Sequence, residues 1–343
     1  MAVPFERQAG QPACRFSLAA AACAAPARRR WLGRIGPAAL LAPVLPGLLA
    51  SCADTPLREQ PWARYAPMLF DARRDGRRRA WLFGTLHVGT ATMLPWPATI
   101  ERALADSGPI AVEIDSARHW QALVDGFRPY VDLPEDLTLD MLLPASLIRD
   151  VRRHFGWSDD EWRTLRRRQP WWVANFRFGT ADDREQHARR DWGIEQALLR
   201  RARAEQRPIA ELETVAEHVD GLAGGSLEEQ CQQFAIWFDD ARHRGRLLRD
   251  MLAAWRTGDA ATLETLKDRL WGDERQLASL RRRFFTDRDQ RITQRLVQQI
   301  ERDDDGRPVF AAIGAFHLVG PDSVPALLAR QGFDVRRVDD AVD

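Results

Sequence analysis

The segment Gly84-Thr85-Leu86-His87-Val88-Gly89 is echoed near the other end of the chain by Gly314-Ala315-Phe316-His317-Leu318-Val319-Gly320. Each copy follows a short apolar run, residues 80–83 and 309–313, and precedes a proline, Pro95 or Pro321, and a helix-like stretch. A strand that ends in glycine and delivers a histidine three residues later sets an imidazole at the carboxyl edge of a sheet. That edge is where open α/β folds bind their ligands. Two such deliveries from opposite ends of one chain imply a shared sheet and one composite site.

The flanking residues extend this plan. Residues 97–107 predict a helix with Ile100 and Leu104 one turn apart. Gly108-Pro109 then punctuates, and residues 110–115 read as a strand with Glu113 and Asp115 on the face opposite Ile110, Val112 and Ile114. The last block repeats the order: strand 308–313, helix 323–331 ended by Gly332, strand 333–338, without a glutamate in the closing strand. Between the two blocks, residues 136–300 carry helical periodicity, as in Leu247, Met251 and Trp255, or Ile292, Leu296 and Ile300. One strand, 208–214, interrupts that stretch and exits through Glu211 and Glu213. The expected fold is α/β: a mixed sheet core with pseudo-repeated strand–GxxH–helix–strand units at both ends and a large helical insertion forming a cap. It fills a single domain over residues 62–343.

The N-terminus reads as an export signal. Arg28-Arg29-Arg30 leads into a mostly apolar run over residues 35–50, broken by prolines and short for a bilayer span of about 20 residues. It fits the apolar region of a signal peptide, 1–51. Leu49-Ala50-Ser51-Cys52 resembles a bacterial lipobox, which implies lipidation at Cys52 and a short tether over 52–61. By that resemblance the mature protein sits at the periplasmic face of an outer membrane. Processing removes Cys14 and Cys23 and leaves Cys231 as a lone thiol with no disulfide partner. Six arginines against one glutamate precede Cys52, so the remainder of this +1 chain is mildly acidic, which disfavours a nucleic-acid partner.

Four strand ends therefore offer His87, His317, Glu113 and Glu213 (or Glu211). Two imidazoles with carboxylates suit Zn, Mn, Co or Fe, or a histidine acting as general base without metal. His119, His154, His187, His218 and His243 stand singly in polar or helical contexts and read as structural. The chain has no His-Glu-x-x-His, no Gly-x-Ser-x-Gly, no P-loop and no Gly-x-Gly-x-x-Gly.

These motifs resemble the TraB/GumN family, which is similar to the Tiki metalloproteases and, more distantly, to erythromycin esterases and ChaN-type haem-binding lipoproteins. The resemblance runs from about Trp81 to Val338 through the two GxxH segments, Ala111-Val112-Glu113, Pro170-Trp171, Gly193-Ile194-Glu195, Leu212-Glu213-Thr214 with Glu217, and Arg288-Asp289. Two positions depart from the family pattern, which usually has Gly-x-Asp at Glu195 and Arg-Asn at Asp289. The resemblance implies a divalent metal on His87, His317 and Glu113 or Glu213. The remaining glutamate acts as base, and Arg288 steadies an oxyanion or holds a carboxylate. It further implies a hydrolase acting on a peptide, or on a small ester or amide. A metal-free esterase-like site and a non-catalytic haem or metal carrier are the alternatives.

Overall fold

In a computed structural model, residues 66–338 are described except for 67, 91–92, 179–192, 244–246, 272–276 and 303–305. The segments expected to be signal peptide, lipobox with Cys52 and tether, together with His187, lie outside the described residues. The turn at Asp75-Gly76 closes a hairpin of β1 (Leu69–Arg74) and β2 (Arg77–Thr85). β3 (Ile110–Val112), β4 (Ile209–Glu211), β5 (Val309–Gly314) and β6 (Asp334–Arg337) complete one six-stranded sheet in the order β4-β3-β5-β2-β1-β6. β4, β3, β5 and β2 run parallel, while β1 lies antiparallel to both of its neighbours. The α/β expectation with a mixed sheet holds, and both terminal blocks contribute strands to it.

β1 has no counterpart in the sequence reading. Its LFDARR string carries three charges that resemble a solvated turn. In the fold Asp71 accepts hydrogen bonds from Arg73 and, across the hairpin, from Arg78, all at 2.9 Å, while Arg74 donates to Gln331 O at 3.0 Å.

β3, β5 and the buried part of β2, residues 80–83, read as continuous apolar runs, as parallel strands covered on both faces do. Phe83 and Phe310 touch across the parallel pair with ring centres 5.8 Å apart, and Trp255 packs on Phe83 at 6.2 Å. Trp255 comes from helix Leu247–Thr257, and its Nε1 donates to Gly84 O at 2.7 Å in a buried setting. The insertion thus reaches back to brace the first GxxH turn. Much of the rest of the insertion has its own core, built from Leu139, Ile148, Val151, Trp157, Val173, Phe178, Phe234 and Phe238. Cys231 lies fully buried within it, as its helical context suggests. Helical structure begins earlier than residue 136, with Trp120–Phe127 following β3 directly. Among the described residues no helix is long and apolar enough to cross a membrane.

Candidate functional site

Strand order and register bring the sequence-predicted residues to one edge. β2 pairs with β5 so that Thr85 faces Gly314, which sets the two GxxH turns side by side at adjacent strand ends. Glu113 follows β3 and Glu213 follows β4, and the ladder runs on through Glu213 N to Glu113 O at 2.8 Å. Across the sheet the carboxyl ends therefore present Glu213, Glu113, His317 and His87 in that order. Glu211 is not part of this group: it accepts from Asp115 N at 2.8 Å and bonds His119 Nε2 at 3.0 Å.

A buried guanidinium ties the glutamates together. Arg288 donates from Nε to Glu213 Oε1 at 2.8 Å, and from Nη2 to Glu213 Oε2 at 2.7 Å and Glu113 Oε2 at 2.9 Å. Glu113 Oε1 accepts from Gly314 N at 2.7 Å, so the same carboxylate grips the second GxxH turn. A Cβ at position 314 would meet that oxygen at 3.0 Å, a tight approach that glycine avoids. On the other flank a Cβ at Gly221 would lie 2.8 Å from Arg288 Cδ, so only glycine lets helix Val215–Ala223 close over the arginine.

Local sequence makes Glu213 rigid. Thr214 caps helix Val215–Ala223 in a capping box with Glu217, in which each side chain accepts from the other residue's backbone N–H. The first turn then carries His218 back to Glu213, with Nδ1 at 3.0 Å from Oε2. His218, read from sequence as a lone polar residue, is a partner of the site. The signal was present in Thr214-x-x-Glu217 directly after Glu213, because a fixed helix start fixes where the next turn points.

Both GxxH imidazoles carry a carboxylate on Nδ1. His317 Nδ1 bonds Asp289 Oδ1, both groups being buried. His87 Nδ1 lies 3.3 Å from Glu195 Oε2, and the His87 side chain is 68 % exposed whereas Glu195 is buried. Arg288 and Asp289 are consecutive on helix Asp287–Arg302, about 100° apart around its axis, so one faces the glutamates and the other His317. Glu195, on helix Ile194–Ala204, reaches the first turn because Ile194 N donates to Leu86 O at 3.0 Å. Glu195 and Asp289, the two positions at which the sequence departs from the pattern it resembles, are each the partner of one GxxH histidine.

Electrostatics follow from burial and pairing. Burial alone would raise the Glu113 carboxyl, but Arg288 foremost, then His317 and His87, bring it down to about 2. Burial likewise opposes ionisation of Glu213, and hydrogen bonds from Arg288 and His218 outweigh it to hold the carboxyl well below its usual range. The surrounding protein disfavours the His87 imidazolium, yet Glu195 and then Glu113 raise the ring above its ordinary value. Asp289 is pushed up, by burial first, against the pull of His317 and Lys267.

A model of the TraB/PrgY/gumN family matches residues 68–337. The chain belongs to this family. Among curated relatives it is 22 % identical over 264 residues to an uncharacterized protein, YbaP, of Shigella flexneri, covering 75 % of this chain and 90 % of that one. The YbaP protein of Escherichia coli strain K12 matches with the same identity and coverage. No solved structure matches. The family segment spans every site residue above, from His87 to His317.

Arg288→Met leaves Glu113 and Glu213 buried without their cation, a loss of about 3–5 kcal/mol near neutral pH. The sign depends on pH. In the wild type, Glu113 ionises more readily folded (about 2) than unfolded (4.5), so its contribution is present above 4.5 and fades as pH falls toward 2. In R288M the buried carboxyls instead resist ionisation, and acidification from neutral pH raises stability. Urea unfolding of both proteins across this range checks the opposite slopes.

Proposed function

We propose that the protein is a lipid-anchored hydrolase outside the cytoplasm, cleaving a peptide or a related amide or ester carbonyl at the paired GxxH imidazoles. The observation that carries this reading is the carboxylate on Nδ1 of each ring. A carboxylate there holds the proton on Nδ1 and leaves Nε2 as the lone-pair nitrogen, the form needed for a metal ligand or a base. The extracytoplasmic setting rests on the lipobox at Cys52, and the peptide assignment on the likeness to Tiki proteases.

The donor types suit a divalent ion such as Zn, Mn, Co or Fe: His87 and His317 supply borderline nitrogens and the ionised Glu113 an oxygen. These three do not bring one ligand atom each within 4.8 Å of one another, and Arg288 and Gly314 N already hold the two Glu113 oxygens, so binding would require the turns to close on the ion. Glu113, Glu195, Glu213 and Asp289 bring four carboxyl groups against Arg288 and Lys267, a surplus that a proton on Asp289, protonated imidazoles or a bound cation would offset. Glu195 Oε1 is buried and has no hydrogen-bond donor among the described residues, a further sign of a missing positive partner. The one group of three His, Cys, Asp or Glu donors lying within 4.8 Å of one another among the described residues is Glu113, Glu213 and His218. There Arg288 already bridges the two glutamates, so that cluster has its cation. When bound, a divalent ion supplies Lewis acidity for a carbonyl and acidifies water to a pKa of about 7.

The protein's own groups divide the work. Glu195 and Asp289 orient the rings, and Arg288 holds Glu113 ionised and in place. Of the two roles implied for Arg288, gripping carboxylates fits its burial better than meeting a substrate oxyanion. Glu213, enclosed by Arg288 and His218, anchors the arginine. A Glu113 titrating near 2 is a weak base at neutral pH. His87, with Glu195 on Nδ1 and its side chain open to solvent, is the better placed proton acceptor, and in the metal-free alternative its Nε2 deprotonates the attacking water.

Metal analysis of the purified protein, with cleavage of a peptide library followed by mass spectrometry, separates these readings. We expect one bound divalent ion per chain, lost in the H87A/H317A variant. Cleavage should stop on chelation and fall about 100-fold or more in either single variant. Chelator-resistant cleavage without metal selects the His87 base, and a Soret band without cleavage selects a haem carrier. Anchoring is tested by detergent phase partition of the full chain: Cys52→Ser should move the protein to the aqueous phase, and unchanged partition removes the lipid anchor.

A further inference from the structure

Lys267 is the one lysine among the 50 basic residues of the chain, and it is buried. It projects from helix Ala260–Trp271, and its Nζ donates to Phe316 O at 3.1 Å and to Val319 O at 3.3 Å. These two carbonyls bracket His317 in the turn that begins with Ala315–Leu318. The ammonium also rests 4.2 Å from the centre of the Phe285 ring, which in turn stands 5.5 Å from the His317 ring. Burial makes the charged amine less favourable, and Asp289 is the foremost group opposing that effect.

A lysine at this position suits the geometry. A compact ammonium with three rotatable donors reaches two carbonyls of one tight turn while lying against a ring. A planar guanidinium presents its donors in a fixed fork and is bulkier. Removing the ammonium takes the donor from two carbonyls of a buried turn, and unpaired backbone groups drive rearrangement toward new donors. Space for that rearrangement exists: a cavity of about 350 Å³ borders Lys267, Phe285, Asp289 and Gly320.

We propose that Lys267 is a positioning residue, which fixes the second GxxH turn so that His317 keeps its Nδ1 bond to Asp289. The role rests on placing His317 in the reacting centre, but it is tested without turnover. Protein labelled with ¹⁵N-histidine, at one neutral pH and with His317 assigned through H317Q, reports the ring tautomer and the Nδ1 proton directly. The wild type should show a Nδ1-protonated ring with a downfield proton. In Lys267→Met, with unchanged far-UV circular dichroism, that proton should vanish and the tautomers mix. In Lys267→Ala, propylammonium entering the cavity should restore the signal and propanol should not. A wild-type His317 signature in K267M overturns the proposal, as does a K267A signature indifferent to propylammonium if K267M does not fold. Full hydrolysis by H317A would instead remove the functional reading and leave this result standing.

Discussion

The bond network around one buried guanidinium organises the site. Arg288 joins the ends of β3 and β4 through Glu113 and Glu213, and Glu113 passes the constraint to β5 through Gly314 N. Strands from the start, middle and end of the chain are thereby tied at their carboxyl ends. The arrangement is costly to disturb, because each charge is buried and each relies on the others for compensation. A parallel sheet assembled from distant segments gains register from such a clamp, and the two imidazoles inherit it.

The histidines lie on either side of this framework in different environments. His317 is buried, bonded to a buried carboxylate and backed by Lys267, whereas His87 stands at the solvent edge against Glu195. The pseudo-repeat therefore yields two chemically unlike imidazoles from one motif. Helices of the insertion supply what differs: Trp255 and Glu195 serve the first turn, Lys267 and Asp289 the second.

Much of the sheet was legible in the sequence, because apolar runs ending in GxxH or in glutamate mark strand ends without reference to tertiary contacts. The order of those ends follows from the pairing of β3 with β5 and of β5 with β2, which no local pattern reports. Residues that act from helices were harder to assign. Asp289 and Glu195 stood out only as departures from a family pattern, since their partners are set by helix rotation and docking. His218 escapes assignment for a similar reason, since its contact, five residues on from Glu213, depends on a helix start fixed at Thr214. β1 was missed because the charges that hold it in the sheet resemble those of a loop.

If the sheet edge held by Arg288 makes one site, the two GxxH imidazoles must act as a unit. Calorimetric titration of Zn²⁺ into the metal-stripped protein, H87A, H317A and the double variant measures that coupling as a double-mutant cycle. One site predicts that either single substitution removes most of the binding free energy and that the second adds little. Strictly additive losses, or two independent sites each surviving the loss of the other histidine, would contradict the account.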